Sequence, residues 1–141
     1  MSPRSVDDLL REARDQIVRI EPREASEAIR DGALLIDIRS ESQRGRDGVV
    51  PDAVVIARNV LEWRCDPASP WRDPRVGGHD RRLIVMCDEG YASSFAAATL
   101  RQLGFERAAD LAGGFRAWRA AGLPVTPPAS IRAAGDRAAA E

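Results

Sequence analysis

Lysine is missing from this chain: all 21 basic residues among its 141 are arginine, a bias that a GC-rich genome explains better than function does. A surplus of either charge is missing too. The formal net charge is -1, which removes the electrostatic case for a nucleic acid or an anionic membrane as partner. Only two cysteines, Cys65 and Cys87, and one histidine, His79, are present. That excludes a disulfide scaffold and makes a poor ligand set for a metal. No apolar run approaches the length of a membrane span. Met1 to Leu10 has no apolar core and carries Asp7 and Asp8, so neither a signal peptide nor an anchor is expected. The expectation is one soluble domain in a reducing, cytoplasmic setting, with 44% hydrophobic residues to build a core.

What is present alternates between helix and strand signals. Ser5-Val6-Asp7-Asp8 ahead of Leu9-Leu10 predicts a capped, amphipathic N-terminal helix ending near Arg14. Ile17 to Ile20 predicts a short strand. Pro22 suits a first helical position, with Ala25, Ala28 and Ile29 on one face and Asp31-Gly32 as the stop. Leu34 to Ile38 has the length and unbroken apolarity of a strand buried on both faces. Ser40 to Asp52 reads as a short helical turn and a loop, and Ala53 to Ala57 as another buried strand. Asn59 reads as the cap of a short helix carrying Leu61, Trp63 and Cys65. Prolines and glycines make Asp66 to Asp80 a loop.

Leu83 to Cys87 is a third buried strand. A helix follows, with Ala92, Phe95, Ala96, Thr99, Leu100 and Leu103 on one face and Gly104 at its end. Ala108 to Leu111 is a short strand, and Gly113-Gly114 open a last helix with Phe115 and Trp118 inward. Past Pro127-Pro128 an Ala/Arg-rich tail reads as loosely helical or disordered. The expected organisation is an N-terminal helix over 1–15, one domain over 16–126 and a tail over 127–141. Strands alternating with helices imply an α/β layer fold with a mostly parallel central sheet and helices on both faces. In such sheets ligands gather beyond the carboxyl ends of the strands, where Asp37, Ala57 and Cys87 fall.

Cys87 stands where a buried strand meets a glycine-bearing loop and then a helix. If Asp88 to Ser93 curl around the sulfur, several backbone N–H groups and the positive end of the helix dipole face it. Both favour the thiolate, the nucleophilic form. Gly90 permits the backbone angle such a curl needs. Ser93 or Ser94 is placed to cap the helix or to donate a hydroxyl to sulfur. Asp88 and Glu89 work the other way, adding negative charge beside the thiol. From position alone, Cys87 reads equally as a small apolar residue closing a buried strand.

At these residues the chain resembles the rhodanese-like family of single-domain sulfurtransferases, from about Ile17 to Val125. The family's active loop runs Cys-Arg-x-Gly-x-Arg-Ser. Here Cys87-Asp88-Glu89-Gly90-Tyr91-Ala92-Ser93 keeps the cysteine, glycine and serine in register. Asp37-Ile38-Arg39 is similar to its Asp-x-Arg signature, and Gly48-Val49-Val50-Pro51-Asp52-Ala53 to its Gly-His-Ile-Pro-Gly-Ala turn. Gly113 to Trp118 is similar to its Gly-Gly-x-x-x-Trp ending. The resemblance implies a three-layer rhodanese-like fold and a reaction without metal or organic cofactor. Cys87 takes a sulfane sulfur from a small-molecule or protein persulfide donor, holds it as a persulfide, and passes it to a thiol acceptor. The amides of Asp88, Glu89, Gly90, Tyr91, Ala92 and Ser93 cradle the outer sulfur in this picture.

Phosphatases of this fold use a longer loop and a closing arginine, and this chain has neither. Ala92 and Asp88 stand where the family carries arginines, so thiosulfate, a dianion, is expected to bind poorly. The same losses support an alternative, a catalytically weak binding or redox-sensing module. Arg58 follows the Ala53 to Ala57 strand and either reaches the pocket as a substitute cation or lies on the surface. Asp37 and Arg39 are expected to brace the strand end rather than do chemistry. Cys65 is expected to be structural, the alternative being a resolving thiol for Cys87. Trp118 is expected in the core, Trp63 and Trp71 in the core or a lid, and His79 in solvent. Tyr91, at the loop tip, is a gate or a surface residue.

Overall fold

Two apolar runs without a polar interruption, Leu34-Leu35-Ile36 in β2 (Leu34–Asp37) and the whole of β4 (Leu83–Met86), are buried at every residue. They form the middle of a five-stranded sheet in the computed structural model, which describes residues 2–128. The tail beyond Pro128 lies outside the described residues. With β1 (Val18–Ile20), β3 (Val54–Val55) and β5 (Ala109–Leu111), the order across the sheet is β1-β5-β4-β2-β3, and every pairing is parallel. Parallel strands need crossovers, and α2 (Pro22–Arg30), α3 (Glu41–Asp47), α4 (Leu61–Cys65) and α5 (Ala92–Gln102) supply them, while α6 (Gly114–Ala120) follows the last strand.

The side-chain alternation of the strands divides the core in two. Leu34, Ile36, Leu83 and Val85 pack on one face with Leu61, Ala96, Ala97 and Leu100 from α4 and α5. Leu35, Ile84 and Met86 pack on the other with Ala25, Ala28, Phe115 and Trp118 from α2 and α6. The result is three layers. α1 (Val6–Asp15) has the Ser5–Asp8 capping box that its sequence suggests and packs against α5. Ser40 and Gln43 form a second capping box, which starts α3.

Four local expectations change. β3 is only two residues long and half exposed, because it is an edge strand with a neighbour on one side alone. Asn59 is not a cap; it sits inside a 3-10 turn, Arg58–Val60, that runs directly into α4. α1 is less amphipathic in practice than in sequence, since Val6 and Leu9 are exposed and Ala13 is its one buried residue. On α5, Ala92 faces solvent while Ser93 and Ser94 are buried, because a carboxylate beneath them accepts both hydroxyls. Trp118 lies in the core as expected, but Trp63 and Trp71 are 57% and 66% exposed and belong to no core. His79 is exposed, its ring tilted 5.2 Å from that of Phe105.

Candidate active site

β4 ends at Met86, so Cys87 is the first residue past the carboxyl end of the central strand. The chain then turns through Gly90, at φ +93°, into the first turn of α5. A Cβ at Gly90 would come within 2.8 Å of the Gly113 nitrogen, so this position needs glycine for both angle and space. The turn wraps the sulfur. Cys87 Sγ accepts the Gly90 N–H at 3.1 Å and the Ser93 N–H at 3.4 Å. Cys87 is 7% exposed and forms the floor of a cavity of about 280 Å³. Asp88, Glu89, Tyr91, Ala92, Arg39 and Arg58 line that cavity with it. Ile38 and Gln43 line it too, and neither was singled out by its sequence signal.

The loop is held from three sides. From below, the start of α6 comes up against it. Phe115 N–H donates to the Cys87 carbonyl at 2.8 Å and Arg116 N–H to the Asp88 carbonyl at 3.2 Å. This is why Gly114 is a glycine: a Cβ there would lie 2.6 Å from both carbonyl oxygens. From the sheet, the fully buried Asp110 carboxylate accepts Ser94 Oγ at 2.8 Å, Ser93 Oγ at 3.0 Å and Arg19 Nε at 3.0 Å. From outside, the Gly90 carbonyl accepts Arg19 Nη2 at 2.8 Å and Arg14 Nη2 at 3.0 Å. The signal for Asp110 was an acid inside a buried apolar strand, which requires a partner. Arg14 and Arg19 carry no such signal.

Asp37 and Arg39 form a bidentate pair, both fully buried side chains, at 2.9 and 3.1 Å. Arg39 also donates to the Gly48 carbonyl at 2.8 Å, and its guanidinium lies 3.8 Å from the Phe115 ring centroid. The pair ties the end of β2 to the turn before β3, and Arg39 alone of the two reaches the cavity wall. Arg58 lines the cavity while its Nη1 bonds Glu62 Oε1 at 2.9 Å. Cys65 is buried on α4, and its thiol is pushed up to about 12, first by burial and then by Asp73 and Glu62. A thiol so far from ionising is unsuited to attack Cys87. Both cysteines are free.

The expected electrostatics of the loop need one correction. Asp88 does not stand unopposed beside the sulfur. Its carboxylate bonds Arg116 Nε at 2.9 Å and has Arg46 Nη2 at 3.9 Å. Glu89, more exposed, lies 3.6 Å from Arg116 Nη2. Asp47 joins the cluster through Arg46 and Arg119. The hydrogen bond from Arg46 holds the Asp47 carboxyl below the usual carboxylate range, and Arg119 and Arg39 add to the effect. The carboxylates Asp47, Asp88 and Glu89 are thus matched by Arg46, Arg116 and Arg119. The rim is neutral rather than negative.

The family model of the rhodanese-like domain matches residues 21–121. A sulfurtransferase of Allochromatium vinosum is 31% identical over 98 residues, which are 70% of this chain and 82% of that protein. The thiosulfate sulfurtransferase GlpE of Pseudomonas syringae is 33% identical over 101 residues, 72% of this chain and 86% of that one. Among solved structures, a protein of unknown function and possible tyrosine phosphatase from Rhodopseudomonas palustris superposes with a TM-score of 0.81 at 30% identity. It covers 89% of this chain and 97% of its own. The polysulfide-sulfur transferase homodimer of Wolinella succinogenes shares the fold with a TM-score of 0.68 at 22% identity, over 84% and 85% of the two chains.

Proposed function

The chain belongs to the rhodanese-like domain family, and from that premise we propose that it is a sulfurtransferase whose Cys87 carries sulfane sulfur as a persulfide. The observation that supports this most directly is the sulfur itself. It sits at the floor of an open cavity and accepts two main-chain N–H groups, an arrangement that stabilises negative charge on sulfur without a charged side chain. A cysteine serving only to fill the core gains nothing from such donors.

The chemistry is two displacements at sulfur. The Cys87 thiolate attacks the outer sulfur of a donor RS–SH; the new Sγ–S bond forms as the donor S–S bond breaks, and RS⁻ leaves. An acceptor thiolate then attacks the outer sulfur of the Cys87 persulfide and regenerates the Cys87 thiolate. Each step conserves charge and needs no oxidant. The amides of Asp88 to Ser93 hold the outer sulfur, and the donor and acceptor enter through the cavity over Tyr91 and Ala92. The setting is a reducing, cytoplasmic one. Among the described residues no helix is long and apolar enough to cross a membrane.

Thiosulfate is a poor donor in this reading. Both arginines that line the cavity are neutralised, Arg39 by Asp37 and Arg58 by Glu62, and the rim cluster is balanced. A dianion therefore meets no net positive charge on entry, whereas a thiol persulfide brings little charge to be compensated. The exposed Ala92 at the mouth of the cavity also favours the second reading, a binding or redox-sensing module, because nothing there grips an anionic donor. Intact-protein mass spectrometry separates the two. After exposure to glutathione persulfide the chain is expected to gain one sulfur atom, mapped to Cys87 and absent from Cys87→Ser. No gain from glutathione persulfide, thiosulfate or a cysteine-desulfurase system overturns the carrier assignment.

A further inference from the structure

The Gly90 carbonyl is an unusual acceptor. Two guanidinium groups converge on one neutral oxygen, Arg14 from the last turn of α1 and Arg19 from β1, and Ser94 Oγ adds a third contact at 3.4 Å. Both arginines precede the stretch matched by the family model, which begins at residue 21. Their other contacts differ. Arg19 is matched by Asp110, its Cα partner across the β1–β5 pairing. Arg14 meets the Ser94 hydroxyl through Nε at 3.1 Å and the Tyr91 ring at 5.6 Å, and no carboxylate among the described residues.

Two consequences follow from peptide geometry. A trans peptide sets the next N–H antiparallel to its carbonyl. With the Gly90 oxygen held by Arg14 and Arg19, the Tyr91 N–H of the same peptide points away from both guanidinium groups. A cation on the carbonyl also polarises the amide and makes that N–H a stronger donor.

We propose that Arg14 and Arg19 are positioning residues of the sulfur cradle, and that Arg14 supplies, from behind the loop, the positive charge that the loop itself lacks at Ala92. The proposal rests on the reading of Cys87 as a sulfur carrier. It makes α1 part of the active apparatus rather than a decoration, which accounts for a helix with a single buried residue being held by a two-pronged polar contact.

The test compares two alkylating agents of equal shape and different charge, iodoacetate and iodoacetamide, on Cys87 in the full chain, read by peptide mass spectrometry. The ratio of their rates reports the potential at the sulfur and cancels the fraction of thiolate and any general loosening of the fold. Arg14→Gln and Arg14→Ala are expected to lower the iodoacetate-to-iodoacetamide ratio about threefold, the size of one unit charge felt through partly screened surroundings. Arg14→Lys is expected to retain it. Sulfur loading from glutathione persulfide is expected to slow several-fold in Arg14→Gln. A ratio unchanged in both neutral variants, or lost equally in Arg14→Lys, overturns the proposal. A wild-type chain that takes up no sulfur while the ratio responds to Arg14 as described refutes the carrier reading and leaves the positioning role intact.

Discussion

Gly114→Ala offers the sharpest test of how the loop is built, and Gly122→Ala is its control. Both glycines have positive φ, +63° and +75°. An alanine at either position bears the backbone penalty of the left-handed region, about 1 kcal/mol. They differ in surroundings. A Cβ at residue 122 meets nothing within 4 Å, whereas at residue 114 it meets the Cys87 and Asp88 oxygens at 2.6 Å. Ordinary contact begins at 3.4 Å, so α6 must back away from the loop. Doing so stretches the Phe115 and Arg116 N–H bonds to those same two carbonyls. Leaving buried carbonyls short of a donor costs about 1–2 kcal/mol each, which brings Gly114→Ala to about 3–5 kcal/mol in all. At roughly 3–5 °C per kcal/mol for a chain of this size, Gly122→Ala is expected to lower Tm by about 4 °C and Gly114→Ala by more than about 10 °C. Because the displaced atoms belong to Cys87 and Asp88, sulfur loading measured well below both transitions is expected to fall in Gly114→Ala and to stay at the wild-type level in Gly122→Ala. Thermal denaturation followed by circular dichroism, together with the mass-spectrometric loading assay, reads both. Equal Tm losses, or full loading in Gly114→Ala, would refute the claim that close approach of α6 shapes the site.

Ala92→Arg restores a cation at the mouth of the cavity, where one charge-assisted hydrogen bond to thiosulfate is worth about 1.5–3 kcal/mol; kcat/KM in the thiosulfate:cyanide assay is expected to rise roughly 10- to 100-fold. An unchanged value, or wild-type turnover already equal to that of arginine-bearing relatives, would defeat the electrostatic explanation. The burial of Cys65 has an alkaline signature. Its thiol ionises at about 12 in the folded chain against 9.0 as the ordinary value, so above pH 9 the unfolded state sheds the proton first. Stability is therefore expected to fall as pH rises from 9 toward 12, by up to about 1.4 kcal/mol per pH unit. Urea midpoints for Cys65→Ala should fall less steeply over that window, and parallel slopes would show that Cys65 does not carry the effect.

The legible part of this protein was local or repeated along the chain. Unbroken apolar runs marked β2 and β4, the Ser5 and Gly104 signals bounded two helices, and Cys87 with Gly90 and Ser93 marked the loop, because each depends on residues a few positions apart. The positions of Ser93 and Ser94 in the sequence suggest caps or donors to sulfur, whereas in the fold both hydroxyls donate to Asp110. The short β3 and the absence of Trp63 and Trp71 from the core have a related cause: an apolar residue says that burial is favourable, not that a neighbour exists to provide it.

Sequence by itself determined most of the elements, the alternation that makes a parallel layered sheet, and the place of Cys87 at the end of its central strand. Tertiary structure alone decided what surrounds that sulfur. Arg19 reaches Asp110 across 91 positions because β5 inserts between β1 and β4 in one particular register. Arg116 cancels Asp88 across 28 positions because α6 docks beneath the loop. Periodicity records which face of an element is buried, but the partner each charge finds depends on strand order and register, which no local pattern of residues specifies.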